Sequence, residues 1–370
     1  MKYLYLIIFL GSIFYSCKKN ENTTKHFSVS GKISEYKEGT VVLNKYRDKQ
    51  LIPLDSAQIK NNKFSFKPID FDNPELYYLI FDEGNAVIEF FTDTGQIIIQ
   101  AEYKLQSKLI VEGSGNHAEF VSFLKNNMVF ENKQLEIYKQ KEIAEKNNDT
   151  LLIKIAENDL KSVSDEQLNY IRQYVIQNKN SFVAAYLASK NLADYLSLDD
   201  LIFITDNFND TIKSSVYYSE LIEKIETRKR VQIGKQAPDF NLPDTSGKLI
   251  SLSSLQGKYL IIDFSASWHP EFHKRNSELK LLYKKYLHKE IEIFQVSFER
   301  NLYNEQEKIE TEKTNWILVS DINGLNSELI RLYGIRTFPT YYFLDKNGII
   351  IGSDIQINEL AELLEEIFKI

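Results

Sequence analysis

The hydrophobic pattern changes character twice along the chain. Over residues 27–113, short apolar runs recur at near-regular intervals: Phe27-Ser-Val29, Thr40–Leu43, Lys63–Phe66, Tyr77–Phe81, Val87–Phe91 and Gln96–Gln100. Turn residues punctuate them at Gly39, Asn61-Asn62, Glu83-Gly84-Asn85 and Thr94-Gly95. Such spacing predicts an all-β sandwich or barrel. From 115 to 230 glycine and proline are absent after Gly115, while Lys, Glu, Gln, Leu and Ala dominate. Breaks at Asn147–Asp149, Asn178–Asn180 and Asn207–Asp210 predict four or five helices, with Phe182–Ala188 as a buried one. No fixed period marks a helical repeat, and no motif assigns chemistry to this region.

Residues 233–370 read as α/β. Lys258–Phe264 is nearly continuous apolar, as expected of a parallel strand covered on both faces. Leu279, Leu282, Tyr283 and Tyr286 follow at helical spacing, then a strand over Ile291–Val296, which completes a βαβ unit. A second helix is expected before Trp316, and another over Asn326–Tyr333. Tyr341–Leu344 and Gly348–Ile351 predict a hairpin turning at Lys346-Asn347-Gly348. Leu360, Leu363, Leu364, Ile367 and Phe368 put one apolar stripe on a last helix. The expectation is a multidomain chain: an N-terminal all-β sandwich or barrel, a central α-helical region and a C-terminal α/β domain.

The N-terminus reads as a targeting segment. Lys2 precedes an apolar run over Leu4–Phe14. That run is shorter than the ~20 residues a bilayer requires, which favours a secretory signal over residues 1–16. It ends at Ser16-Cys17, which resembles the lipobox of bacterial lipoproteins, although Phe14 and Tyr15 are bulkier than usual there. The resemblance implies lipidation of Cys17, a membrane held through the lipid, and a polar tether over 17–26. Lys18 rather than Asp follows the cysteine, and no acidic run directs surface display; the resemblance to such lipoproteins then implies a periplasm-facing outer-membrane anchor in the cell envelope.

Charge and cysteine content narrow the function. The net charge is −7 and no Lys/Arg cluster stands out, so no nucleic-acid partner is expected. The chain has one cysteine, Cys17. No intramolecular disulfide can form, even in an oxidising compartment.

Several motifs follow in a fixed order: Gly234-Lys-Gln-Ala-Pro-Asp-Phe240, Gly247-Lys248, Leu252–Lys258 and Asp263-Phe-Ser-Ala-Ser-Trp268. Val296-Ser-Phe-Glu299, Ser320-Asp321 and Tyr333–Thr340 complete the set. Together they resemble the TlpA/ResA-type thioredoxin-like family across 233–370. Residues 27–113 resemble the β-domain that precedes such domains in Gram-negative lipoproteins, on Gly31, Asp55-Ser56, Phe64–Phe66, Gly95 and Gly113-Ser114. The resemblance implies thiol–disulfide chemistry at a Cys-x-x-Cys after Trp268. Here His269 occupies the first cysteine position and Phe272 the second. Imidazole and phenyl can neither attack a disulfide nor resolve a mixed one, so fold and activity separate.

What remains makes sense as a helix start. His269 sits at or near the N-cap, Pro270 suits the first helical position, and Glu271 suits the helix dipole. Phe272 is expected to pack inward. The resemblance also makes Pro339 a cis-proline preceded by Phe338. Trp268, Phe272, Phe338 and Pro339 would then line a groove that takes an extended peptide by strand addition; the same residues would equally serve to cap the core. His269 and His273 share an i, i+4 spacing that suits a metal, but a catalytic zinc site takes three protein ligands and no third is evident. Solvent-facing histidines are therefore the first reading, and no metal or cofactor is expected. His26, His117 and His288 form no pattern. The functional expectation is a non-catalytic envelope lipoprotein that binds or scaffolds an envelope protein or extended peptide. The alternatives are a non-thiol or metal-assisted enzyme at His269/His273 and a purely structural role.

Overall fold

The computed structural model describes residues 25–47, 50–81, 86–103, 105–244, 246–299 and 316–369. The signal segment, Cys17, most of the expected tether, the Glu83–Asn85 turn and the helix expected before Trp316 lie outside the described residues. No described helix is long and apolar enough to cross a membrane. The chain forms two compact units, one running to Ser122 and the other from Phe123.

The first unit is built on one nine-stranded, near-barrel sheet. Its strands are β1 (Lys25–Ser34), β2 (Glu38–Arg47), β3 (Gln50–Lys60), β4 (Lys63–Ser65) and β5 (Ile69–Phe71). Then follow β6 (Leu76–Phe81), β7 (Ala86–Phe91), β8 (Gly95–Glu102) and β9 (Leu105–Glu112). Their order is β7-β6-β2-β3-β4-β1-β8-β9, with β5 on β1. All pairs are antiparallel except β1 with β8. Period-two alternation sends Phe27, Val29, Val41, Leu43, Ile97 and Ile99 into one core at 0–1% exposure. Gly31 is required because a Cβ there would lie 2.4 Å from the Ile99 carbonyl oxygen on the neighbouring strand. Asn61 and Asn62 both adopt positive φ, which makes the tight turn between β3 and β4.

Three points differ from the sequence expectation. Lys25 and His26 belong to β1 rather than to the tether, because β5 pairs with them. Gly39 lies inside β2 rather than in a break. β3, β5 and β9 carry no clear apolar alternation; β3 holds Pro53 and is mostly exposed, so ladder hydrogen bonds rather than side-chain burial define it.

The second unit begins within α1 (Gly115–Lys146), which pairs with α2 (Thr150–Gln177). Phe123 stacks on Tyr170 at 5.6 Å and meets Tyr174 edge-on at 4.9 Å. Next come α3 (Phe182–Leu187), a π turn over Ala188–Leu192 and a 3-10 turn over Ala193–Tyr195. α4 (Leu198–Asn207), α5 (Asp210–Lys213) and α6 (Val216–Arg230) complete the helices. Asp149, at the end of the first polar break, caps α2, and Ser181, Ser197 and Ser215, outside the expected breaks, cap α3, α4 and α6; each accepts a first-turn N–H.

The C-terminal part starts with a small hairpin, β10 (Asn241–Pro243) and β11 (Leu249–Ser251). The main sheet has the order β14-β13-β12-β15-β16. Its elements run β12 (Tyr259–Ser265), α7 (Phe272–Tyr286), β13 (Ile291–Phe298), β14 (Ile317–Asp321) and α8 (Glu328–Tyr333). β15 (Thr340–Leu344), β16 (Ile350–Ile355) and α9 (Ile357–Phe368) follow. β12, β13 and β14 are parallel, and β15 and β16 antiparallel. One face packs Ile262, Phe264, Phe294 and Val296 with Leu329, Ile330 and Tyr333 of α8. The other packs Ile261, Ile293 and Phe343 with Leu279 and Tyr283 of α7 and Leu360 and Leu364 of α9. Covering on both faces explains the unbroken apolar run of β12. α8 begins at Glu328 rather than Asn326, because Gly324–Asn326 form a 3-10 turn and Ser327 caps the helix.

Candidate functional site

The C-terminal ends of β12 and β13 open onto the Ala266–Glu271 loop, which leads into α7. The loop is fastened from below. Trp268 donates its indole N–H to the Phe298 carbonyl at 3.0 Å. Ser267 gives its backbone N–H to Glu299 at 3.3 Å and its hydroxyl to the same carboxylate at 2.6 Å. The Ser297 hydroxyl adds a third donor at 2.5 Å. Glu299 is fully buried, and these hydroxyl and amide donors satisfy its side-chain oxygens there.

Further along the same sheet face lies a second polar set. Gln295 donates to Asp263 at 2.6 Å and to Asn276 of α7 at 3.4 Å, and accepts the Trp316 indole N–H at 3.1 Å. Burial, followed by the nearby Asp263 charge, pushes the Tyr341 hydroxyl far above its ordinary value, so it stays protonated.

Opposite the Trp268 loop, the Phe338–Pro339 peptide is cis. Phe338 meets Trp268 edge-on at 5.9 Å and Phe298 at 5.2 Å, so three aromatic side chains share one apolar cluster. Trp268 and Phe338 are partly exposed, whereas Pro339 and Phe272 are buried. Phe272 lies in T-shaped contact with His273 at 5.4 Å. The exposed shelf is therefore Trp268 with Phe338, and Phe272 and Pro339 sit beneath the surface.

The loop before Pro339 is braced from two sides. Arg336 donates to the Asp354 carboxylate of β16 and to the Asp194 carbonyl of the 3-10 turn after α3. Thr340 donates to the same Asp354 at 2.9 Å. Arg228 of α6 donates to the carbonyls of Ala193 at 2.7 Å and Leu196 at 2.8 Å. The helical region thus buttresses the proline loop through main-chain carbonyls.

The helix start differs in detail from the sequence expectation. α7 begins at Phe272, two residues beyond Pro270. A tight turn precedes it, in which Phe272 N–H donates to the His269 carbonyl at 3.0 Å. The His269 ring caps the turn: its Nδ1 accepts the Glu271 N–H at 3.3 Å. His273 is exposed and one turn further on. Among the described residues no three His, Cys, Asp or Glu side chains gather as a metal-ligand set.

Glu299, Asp263 and Arg336 were the positions that sequence patterning passed over as site elements. A signal for the first two did exist. Asp263 and Ser265 on β12, and Gln295 and Ser297 on β13 with Glu299 just beyond its end, place polar residues at every second position of otherwise apolar runs. Arg336 carried none, because its partners lie 18 and 142 residues away.

A sheet of this order, covered on both faces, with a tryptophan loop entering a helix opposite a cis-proline, defines a thioredoxin-like domain. Residues 233–353 match the AhpC/TSA family, and residues 27–120 match a domain of unknown function, DUF4369. The C-terminal domain is thus thioredoxin-like, with thiol–disulfide oxidoreductases among the proteins it is similar to. It is similar to the thiol-disulfide oxidoreductase ResA of Bacillus thuringiensis, at 29% identity over 141 residues, 38% of this chain and 79% of that protein. It is similar to the thioredoxin-like protein YneN of Bacillus subtilis, at 28% identity over 36% of this chain and 75% of the relative. Among solved structures, a thiol-disulfide oxidoreductase from Bacteroides fragilis shares 34% identity, covering 36% of this chain and 99% of its own, with a TM-score of 0.34.

Proposed function

We propose that this protein is a cell-envelope lipoprotein whose thioredoxin-like domain has left redox chemistry and binds an extended segment of an envelope protein at the Trp268–Phe338 shelf. One observation carries the reading: the positions that hold the two reactive thiols in the family hold His269 and Phe272, and the only cysteine is Cys17. Electron transfer through a dithiol requires one thiolate to attack and a second thiol to resolve. The supporting parts remain nonetheless: the fastened Trp268 loop, the aromatic cluster and the braced proline loop. Retention of a recognition surface without its sulfur atoms favours binding over catalysis. A lipid on Cys17, with the membrane as anchor and the periplasm as the space faced, is the location that fits the N-terminal segment. Neither a metal nor a cofactor is needed for this role.

Photocrosslinking from a reactive residue at position 338, in cells that make the full chain, tests the binding. A discrete adduct that disappears on Trp268→Ala is the expected result. Insulin reduction by the purified chain at a rate clearly above dithiothreitol alone would refute the loss of redox chemistry, whatever the crosslinking shows.

A further inference from the structure

We propose that the outer face of α1 is a homodimer interface, in which the α1 helices of two copies pack antiparallel. The helix has two apolar sides. The inner one carries Phe123 and Phe130, which Tyr170 and Tyr174 of α2 receive, with the half-buried Ile137 and the buried Ala144 in line with them at heptad spacing. The outer one is Leu124, Met128, Leu135 and Tyr138, exposed by 37%, 52%, 53% and 58%. A helix that is apolar on two sides has two partners, and α2 is only one.

The outer positions recur at intervals of four, seven and three residues, with Glu131 filling the gap. This is the a/d spacing of a seam against another helix at a shallow crossing angle. Self-pairing is favoured by the content of the stripe. Read in reverse, Leu124 falls opposite Leu135 of the second copy, and Met128 opposite its Glu131. Glu131 is held sideways by Asn127, whose amide donates to it at 2.9 Å, so its methylenes are what Met128 meets. A parallel pairing would instead set Glu131 against Glu131, two like charges in one layer. The antiparallel register also puts Lys125 opposite Gln134 rather than opposite another cation. Four half-exposed large side chains from each copy, with these polar flanks, reach the order of 1,000 Å² of total burial that a specific interface requires. Such a patch is self-complementary, as a two-fold axis demands.

The test is a cysteine pair in the full chain with Cys17→Ser, so that the introduced thiols stand alone. Leu124→Cys with Leu135→Cys in one chain is expected to give a covalent dimer on mild oxidation, and either substitution alone to give almost none. Within one copy the two sites lie 11 residues apart, roughly 16 Å along the helix, too far for an internal disulfide. Met128→Glu with Leu135→Glu is expected to leave the circular dichroism spectrum unchanged and to halve the mass found by sedimentation. A monomer at tens of micromolar overturns the proposal, as does crosslinking by Leu124→Cys alone as strong as by the pair, which would mean a parallel arrangement. A monomer that pairs only with a helix of another protein overturns it as well.

Discussion

If sulfur is the main thing the thioredoxin-like site lacks, His269→Cys with Phe272→Cys restores thiol–disulfide exchange. The geometry permits it, because Phe272 N–H reaches the His269 carbonyl at 3.0 Å. That four-residue turn brings the two Cα atoms within about 7 Å, at the edge of the range a disulfide spans. The substitution has a cost that the structure sizes. Phe272 is only 6% exposed, and removing most of its ring from a buried site costs about 2–4 kcal/mol. Loss of the His269 cap on the Glu271 N–H costs about 1 kcal/mol more. Closing the short ring returns about 2 kcal/mol. The oxidised form should therefore melt above the reduced form and below the parent. Insulin turbidity with dithiothreitol reads the activity, with Cys17→Ser in both proteins so that only the new pair reports. The parent is expected at the dithiothreitol background, and the double variant at least about tenfold above it, since a thiol at a helix start is activated by its position. A folded variant that loses two hydrogens on oxidation, as seen by mass spectrometry, and is still inert would refute the reasoning; more than sulfur would then be missing.

Two further predictions concern the supporting structure. Glu299→Ala removes the acceptor for three donors around the Trp268 loop and should lower stability by about 2–4 kcal/mol. It should also red-shift tryptophan fluorescence as Trp268 becomes wetter, and an unshifted spectrum would show that the carboxylate does not hold the loop. In the first turn of α1, burial pushes His117 down to about 4, and its Nδ1 accepts the Phe91 N–H at 3.4 Å. The folded state binds the proton more weakly than the unfolded chain, so this contribution is complete above pH ~6.5 and is lost as the pH falls toward ~4. About 2–3 kcal/mol should disappear over that window, and His117→Gln should flatten the acid limb of the melting temperature; equal slopes in the two proteins would contradict it.

Local chemistry made much of this architecture legible. The helix end at Asn147–Asp149 could be read because Asp149 caps a helix through its own side chain. β12 could be read because burial on both faces forces a continuous apolar run. β3 and β9 could not, since they are defined by neighbouring strands rather than by their own alternation. The same holds for Lys25 and His26, polar residues made part of a strand by β5.

Taken alone, the order of residues determined the most consequential property, the absence of a thiol pair where the family places one. Composition is a covalent fact, and folding cannot supply an atom the chain lacks. It also determined which helix ends are capped and which strand is central, because those signals are carried within a few residues. Only the tertiary structure decided that Phe272 and Pro339 are buried while Trp268 and Phe338 are left partly exposed. It alone decided that Glu299 clamps the loop, and that Arg336 ties the proline loop to Asp194 and Asp354. Those relations join positions far apart in sequence, and they are set by which faces of the sheet and helices meet, a choice made by the packing of the whole unit.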